Sequence, residues 1–227
     1  YDYDYSWDPA SGDPYPGGQM FIGRGFAAAD DVIAHELVHG VTSDVNQLVY
    51  SKQPGAINES MSDVFGQLVQ LYATPAADSS WKLGEKITGP VFVGPVRSMS
   101  SPTSYGQPDR MSSAYWDRDP GDYDNGGVHT NSGVGNKAAY LMFKGGTFNG
   151  VTVRALDTTG DTSTTGRRNA VLKLAHLYWA TQQLLPGTAN YRRLALGLHQ
   201  ACADLAEQQV GGLVERRRQR QPSEELA

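Results

Sequence analysis

The amino-acid sequence predicts a mainly α-helical protein, because apolar residues recur at steps of three and four over several long segments. A first helix begins near Asp30, and the apolar residues that recur there at three and four residue steps are Val32, Ile33, Leu37, Val38 and Val41. A second is indicated by INESMSDVFGQLVQLYA at residues 57–73. Three further helices are expected at about 131–144, 167–185 and 190–208.

The segments between these helices read mostly as loops. Residues 1–29 are rich in Tyr, Asp, Pro and Gly, with one strand-like run, QMFIG, at residues 19–23. Residues 81–87 suggest a short turn of helix, and residues 88–128 form a long irregular stretch that ends in the turn DNGG. A loop of that length within a compact chain is typical of a functional segment. The composition of residues 209–227 predicts a flexible tail.

The amino-acid composition indicates to which classes of protein the chain can belong. The 227 residues can bury a substantial core, and 39% hydrophobic residues with 26 Gly and 12 Pro suit a loop-rich globular protein. The formal net charge of −5 does not favour a nucleic-acid partner. No apolar run is long enough to span a membrane, so we expect no membrane association. With Cys202 as its one cysteine, the chain forms no intrachain disulfide.

The motif HELVHG within the first predicted helix carries the strongest chemical signal. His35 and His39 stand four residues apart, so both imidazoles project from one helix face and can bind a single ion. Glu36 lies between them, placed to take a proton from metal-bound water. The alternative is an ordinary amphipathic helix that happens to carry two histidines, and a third ligand decides between the two interpretations.

Glu59 in the second helix is the candidate for that third ligand. The turn at Pro54 and Gly55 allows this helix to run back along the first and direct Glu59 at the ion. Asp63 follows one helical turn later and is spaced to accept the second ring N–H of a ligating histidine, for which His35 is the best candidate. The alternative, a solvated acidic face, does not account for the convergence of imidazole and carboxylate groups.

Several motifs resemble the thermolysin-like neutral metalloproteases, the glutamate-zincins. The resemblance covers HELVHGVTSDVNQLVYSKQPGAINESMSDVFG at 35–66, VRSMSSP at 96–102 and YDNGGVHTNSGVGNKAAYL at 123–141. It implies the thermolysin-like C-terminal catalytic lobe at residues 30–208, with residues 1–29 as a small remnant of a β-rich N-terminal lobe. It also implies Zn²⁺ held by His35, His39 and Glu59, with Glu36 as general base.

Further roles follow from the same resemblance. Tyr50 and His129 would stabilise the oxyanion, Asp124 would orient His129, and Arg97 would hold the carbonyl of the residue after the scissile bond. The residues implied for the pocket that receives the side chain after the cut are Phe26, Val32, Leu83 and Val96. An apolar pocket of this kind predicts a preference for bulky apolar side chains.

The expected function is a secreted, monomeric zinc endopeptidase that acts on peptides and proteins. One alternative is a zinc-binding fragment or degraded relative without activity. A second is a zincin aminopeptidase, although the sequence shows no motif to capture a free amine. The family's calcium cluster is only partly matched, by Asp31 and Glu85, so we expect no double calcium site and leave a single site open.

Overall fold

The computed structural model describes residues 20, 22–74, 80–90, 93–118, 123–156 and 163–220. Within these ranges the chain is mainly helical, which confirms the predicted fold class. The helices are α1 (Asp30–Val45), α2 (Lys52–Ala73), α3 (Asp124–Asn131), α4 (Gly133–Lys144), α5 (Thr164–Leu184) and α6 (Tyr191–Arg220). The strands are β1 (Lys82–Leu83), β2 (Arg97–Ser98), β3 (Gly146–Phe148) and β4 (Val151–Val153), and short 3-10 helices cover Phe26–Ala28 and Pro102–Tyr105.

Helix α2 lies at the centre of the fold. Nearly every residue from Gly55 to Leu71 is buried, because α2 packs against α1, α3, α4, α5 and α6. Its approach to α1 is close: a methyl group added at Gly66 would lie 2.5 Å from the backbone oxygen of Asp31. This approach holds the two histidines of α1 against the acidic residues of α2.

The main hydrophobic core surrounds α2. Trp81, buried completely, packs edge-on against Tyr140 and at a tilt against Phe143 of α4, at ring-centroid distances of 5.6 and 5.0 Å. Further fully buried members of this core include Ile57, Met61, Val64, Leu174 and Tyr178. A smaller apolar cluster of Ala29, Val32 and Ile87 covers the start of α1.

The structure corrects the expectation of a helical turn at residues 81–87. Lys82 and Leu83 form β1, which pairs antiparallel with Arg97 and Ser98 of β2. Trp81 and Leu83 are buried while Lys82 between them is partly exposed, and this alternation is the period of a strand. The stretch is too short for its period to be recognised in the sequence.

Other boundaries differ from the predicted ones. Helix α6 continues beyond Gln208 to Arg220, so residues 209–220 extend a helix, and residues 221–227 lie outside the described part. The hairpin of β3 and β4 was not predicted. Of the strand-like run at 19–23, residues 19 and 21 lie outside the described residues, and Met20, Ile22 and Gly23 form no strand. Residues 1–18 also lie outside.

The predicted irregular stretch contains a left-handed turn at its end. Four consecutive residues in the first half of α3, Asp124, Asn125, Gly126 and Gly127, have positive φ angles of 52, 48, 80 and 79°, so only the part of α3 after Gly127 is right-handed. Such a turn is costly for most residues but tolerated by Asn, Asp and Gly, which accounts for the composition DNGG. No helix among the described residues is long and apolar enough to cross a membrane.

Candidate metal centre and substrate cleft

Three potential ligand atoms converge between α1 and α2. The Nε2 atoms of His35 and His39 lie 3.0 Å apart. Glu59 places Oε2 at 3.5 Å from Nε2 of His35 and Oε1 at 3.3 Å from Nε2 of His39. Ligand atoms around a tetrahedral zinc are separated by about 3.4 Å, so the three groups have the spacing that zinc requires. All three side chains are buried.

Neighbouring groups on α2 set the tautomers of both histidines. Nδ1 of His35 lies 2.7 Å from Oδ1 of Asp63, and Nδ1 of His39 is hydrogen-bonded to Oδ1 of Asn58 at 2.8 Å. Each Nδ1 therefore carries the ring proton, and each Nε2 presents a lone pair. When both rings are neutral, two imidazole lone pairs and a carboxylate converge on one point, where a metal ion or an added proton would be stabilised.

The pKa shifts of His39 and Glu59 also indicate that this site favours positive charge. Burial lowers the pKa of His39, but its hydrogen bond with Glu59 and the charge of that carboxylate raise it above the ordinary value. Burial raises the pKa of Glu59, but the hydrogen bond with His39 and the charges of His35 and Arg97 hold it well below its usual range. Glu59 is therefore ionised, as a metal ligand must be.

Arg97 neutralises the acidic groups behind the ligands. Its Nε lies 3.1 Å from Oδ2 of Asp63, and Nη2 lies 3.7 Å from Oε2 of Glu59. Burial raises the pKa of Asp63, but the charge of Arg97 and the hydrogen bond with His35 outweigh it and lower that pKa. Asn136 of α4 donates to Oδ2 of Asp63 at 2.7 Å. Arg97 therefore contacts the acidic residues of α2, and its side chain also lines the cleft.

An open cleft with a volume of about 780 Å³ lies over the three ligands. Glu36 lines it next to His35 and His39, with a side chain that is largely buried but reaches the cleft surface. The apolar residues expected for the side-chain pocket line the same cleft; these are Phe26, Val32, Leu83 and Val96, and Ile87 joins them.

Tyr50 and His129 lie together on another wall of this cleft. The Tyr50 hydroxyl lies 3.3 Å from Nε2 of His129 and donates a short hydrogen bond to Oε1 of Glu59. Burial and the negative charge of Glu59 raise the pKa of the Tyr50 hydroxyl, which keeps it a proton donor. His129 is 46% exposed, and its Nδ1 forms a short contact with Oδ1 of Asp124.

The left-handed turn explains why Asp124 reaches His129. Residues 124–127 adopt left-handed backbone conformations before the chain returns to a right-handed helix. This places the Asp124 carboxylate at the start of the right-handed part, where it accepts a hydrogen bond from the backbone N–H of His129 at 3.0 Å. Gly126 and Gly127 permit the turn to pack closely, since an added methyl group would lie 2.8 Å from Cγ of Lys52 or 2.9 Å from Asp117. The turn also directs Asn125 to the cleft.

Six residues of the site were not predicted from the sequence: Ser43, Gln47, Leu48, Asn58, Ile87 and Asn125. Ser43 follows His39 by four residues, so helical spacing alone indicates a shared face. Asn58 directly precedes the predicted ligand Glu59, but this position in the sequence does not indicate a contact with His39. Gln47, Ile87 and Asn125 lie in loops or turns, where sequence spacing does not indicate direction.

Asp31 and Glu85, the two residues that match the family's calcium cluster, both accept hydrogen bonds within the protein. Both carboxylate oxygens of Asp31 accept backbone N–H groups, from Val32 at 2.9 Å and Gly84 at 2.6 Å. Ser80 donates to Oε1 of Glu85 at 2.5 Å. Throughout the described residues, the three zinc-type ligands are the only group of three or more His, Cys, Asp or Glu side chains with metal-binding spacing.

Comparison with known proteins identifies the family. Residues 46–215 match the model of the α-helical domain of thermolysin metallopeptidases. The chain is 41% identical over 202 residues to a zinc metalloproteinase of Renibacterium salmoninarum, covering 86% of this chain and 34% of that protein. It is 43% identical over 197 residues to thermolysin of Alicyclobacillus acidocaldarius subsp. acidocaldarius, covering 83% of this chain and 33% of that protein.

A solved structure gives the same result. The precursor of protealysin, a metalloproteinase from Serratia proteamaculans, aligns with a TM-score of 0.58 and 31% identity, covering 76% of this chain and 51% of that one. The present chain spans about a third of the length of the two sequence relatives. The family match over residues 46–215, together with these relatives, shows that the chain belongs to the thermolysin metallopeptidase family and carries its α-helical domain.

Proposed function

We propose that this chain belongs to a zinc-dependent endopeptidase that hydrolyses internal peptide bonds. The observation that carries the proposal is the convergence of His35, His39 and Glu59 beneath a cleft that Glu36 also lines. When bound, zinc supplies Lewis acidity, which activates a water molecule and polarises the substrate carbonyl. The names of the relatives, zinc metalloproteinase and thermolysin, support this activity.

Glu36 is the proposed general base and acid. It lies next to the two histidine ligands on α1 and faces the cleft, so its carboxylate can take one proton as the water oxygen bonds to the carbonyl carbon. The same group then delivers a proton to the leaving nitrogen as the C–N bond breaks. Glu59 cannot take this role, because its oxygens face the histidines, Arg97 and Tyr50.

Tyr50 and His129 are the proposed donors to the developing oxyanion. Both line the cleft beside Glu59, and Asp124 orients the His129 ring through Nδ1. In this structure the Tyr50 hydroxyl donates to Glu59, so its role requires the hydroxyl to transfer its hydrogen bond to the substrate. Arg97, which also lines the cleft, is proposed to bind the carbonyl of the residue after the cut.

The proposed substrates are peptides and proteins with a bulky apolar residue after the cut. Support comes from the apolar end of the cleft, where Val32, Leu83 and Ile87 are buried around a space beside Phe26 and Val96. We further propose that the whole protein is secreted and acts as a monomer, as the family resemblance implies.

The test compares the parent chain with Glu36→Gln, which preserves the shape of the side chain. We expect one zinc per chain in both proteins by elemental analysis. Hydrolysis of a peptide blocked at its N-terminus should fall by about 10²–10⁴-fold in the variant, the range for loss of a general base. Because a blocked peptide has no free amine, its cleavage also separates an endopeptidase from an aminopeptidase.

Zinc in both proteins with hydrolysis in neither would contradict the proposed activity of this chain. The alternative of an inactive zinc-binding fragment would then hold.

A further inference from the structure

The substrate cleft has two chemically different ends along α1. Val32 lies at the end where Phe26, Leu83, Ile87 and Val96 also line the cleft. One turn beyond His39, Ser43 lines the same cleft, and Gln47 follows just after the helix. Leu48, which is largely buried, lines this end as well, so the metal ligands separate a wholly apolar end from an end that also carries polar groups.

The length of α1 sets how much peptide this arrangement can hold. Val32 and Ser43 are separated by about 16 Å at the helical rise of 1.5 Å per residue. An extended peptide rises about 3.3 Å per residue, so about five substrate residues fit between the two ends. From His39 to Ser43 is about 6 Å, which corresponds to about two substrate residues.

Asn125 adds a third polar group near the same end. Gly126 packs against Lys52, and His129 contacts Tyr50, so the left-handed turn lies against the segment 50–52 that follows Gln47. Asn125 lines the cleft from this turn. The amide side chains of Gln47 and Asn125 and the hydroxyl group of Ser43 thus supply neutral donors and acceptors on two walls of the cleft.

The backbone that carries Gln47 is held firmly. Its N–H donates to the Thr42 carbonyl at 2.9 Å, and Gln182 of α5 donates to the Thr42 hydroxyl at 2.8 Å. Asn46 donates to the carbonyl of Gln182 at 2.9 Å. Because these bonds fix the backbone before a substrate arrives, little ordering of the main chain is needed on binding.

Gln47 and Asn125 both have left-handed backbone conformations, with φ angles of 53 and 48°. Asn tolerates this conformation, but Gln47 stands immediately after the end of a helix, where glycine is the usual residue. A glutamine there gives up backbone stability while presenting an amide to the cleft, which is the pattern expected of a residue kept for function.

We propose that Ser43, Gln47 and Asn125 form a hydrogen-bonding subsite for a neutral polar side chain of the substrate, two or three residues before the cut. This inference rests on the proposed endopeptidase function, which places the apolar pocket after the cut. Serine, threonine, asparagine or glutamine at this substrate position is preferred over leucine.

The experiment uses zinc-loaded full-length chain and two pairs of blocked peptides. Each pair differs by Gln or Leu at one position, the second or the third residue before the cut. We expect kcat/KM to be about three- to tenfold higher for the Gln peptide of at least one pair, the effect of one or two net hydrogen bonds. Gln47→Gly and Asn125→Gly should each lower kcat/KM for the Gln peptide more than for the Leu peptide, so that the ratio of the two falls toward one.

Asn149→Gly is the matched control for both glycine variants. Asn149 is exposed, has a φ angle of 50° and lies in the turn between β3 and β4, outside the cleft. Its replacement should leave the Gln-to-Leu ratio unchanged. The melting temperature of Gln47→Gly should be equal to or above that of the parent, because glycine relieves the left-handed conformation; a purely structural role of Gln47 would instead lower it.

Binding of the same peptides to the zinc-loaded Glu36→Gln chain, by fluorescence anisotropy, gives a readout that does not need hydrolysis. The Glu36→Gln chain should bind the Gln peptide more tightly than the Leu peptide, and adding Gln47→Gly to it should abolish this difference in affinity. If both results are obtained while the parent hydrolyses no peptide, the subsite stands and the proposed activity fails. Equal kcat/KM and equal binding for Gln and Leu in both pairs overturn the subsite, as does a preference that survives both glycine variants. Failure of every peptide to bind overturns it as well.

Discussion

The Oδ1 atom of Asn58 lies 2.8 Å from Nδ1 of His39, so a neutral amide on α2 orients one histidine ring of the candidate metal centre. Its counterpart is Asp63, whose Oδ1 lies 2.7 Å from Nδ1 of His35. The two rings are therefore held by different chemistry, one by an amide and one by a carboxylate that also contacts Arg97.

Replacing Asn58 by Ala should weaken zinc binding without removing a ligand. Loss of such an outer contact costs about 10–100-fold in metal affinity. Competition with a chromogenic chelator measures the zinc dissociation constant, and Asn58→Asp, which retains an acceptor, should remain within a few-fold of the parent. Unchanged affinity in Asn58→Ala would mean that Ser62, whose Oγ lies 3.3 Å from the same Nδ1, is sufficient to hold the ring.

Arg97→Met should destabilise the fold strongly. Arg97 lies between Asp63 and Glu59, both fully buried, and its loss leaves two carboxylates without their cation. Removing one partner of a buried ion pair costs about 3–5 kcal/mol. Urea unfolding of zinc-free protein measures the free energy of unfolding. Arg110→Met is the control, because Arg110 pairs with Asp109 at an exposed position where loss costs about 0–1 kcal/mol.

The helix contact between α1 and α2 predicts opposite effects of alanine at two glycines. Gly66→Ala would place a methyl group 2.5 Å from the Asp31 backbone oxygen, so the helices must separate, at a cost of about 1–3 kcal/mol. Gly40 lies in α1 with nothing within 4 Å of an added methyl group. Gly40→Ala should therefore stabilise the chain by about 0.5–1 kcal/mol. Equal effects of the two changes in thermal unfolding would contradict this assignment.

The stability difference between the parent and Asp31→Asn should depend on pH. Burial raises the pKa of Asp31, and hydrogen bonds from the N–H groups of Gly84 and Val32 offset this only in part. A carboxyl group with a raised pKa contributes stability below its unfolded pKa of about 3.9, and this contribution is lost as pH rises through the folded value. Asp31→Asn should therefore gain stability relative to the parent as pH rises from about 4 to about 7.

The difference in melting temperature at each pH is the measurement for Asp31, since effects of pH on the rest of the molecule cancel between the two proteins. If the melting temperature of Asp31→Asn relative to the parent stays constant over this range, or falls as pH rises, the carboxyl group is not destabilised by its burial.

Zinc and calcium should affect stability differently. Removal of zinc by a chelator should lower the melting temperature, because a ligand present at about 100 times its dissociation constant stabilises the folded state by about 2.7 kcal/mol. Zinc should restore the original value. Calcium in millimolar excess should leave the melting temperature of the zinc-loaded chain unchanged, since Asp31 and Glu85 are engaged in hydrogen bonds within the protein. A rise of several degrees with calcium would contradict this expectation.

The mainly helical fold and the core of the site could be predicted from the sequence because both depend on local geometry. Apolar periodicity along α1 and α2 indicates helices whatever their neighbours, and a spacing of four residues places His35 with His39 and Glu59 with Asp63 on common faces. Short β1 could not be recognised, because two residues do not display a period.

Tertiary structure decided the relationships that join distant parts of the chain. Tyr50 and His129 are 79 residues apart, and their contact depends on a left-handed turn that packs against α2. The tautomers of the two histidines depend on Asn58 and Asp63 reaching across from α2. The sequence by itself determined the helices and the groups of the candidate metal centre, since these follow from nearest neighbours along a helix. Packing determined where the remaining polar side chains point, because direction in loops is set by long-range contacts.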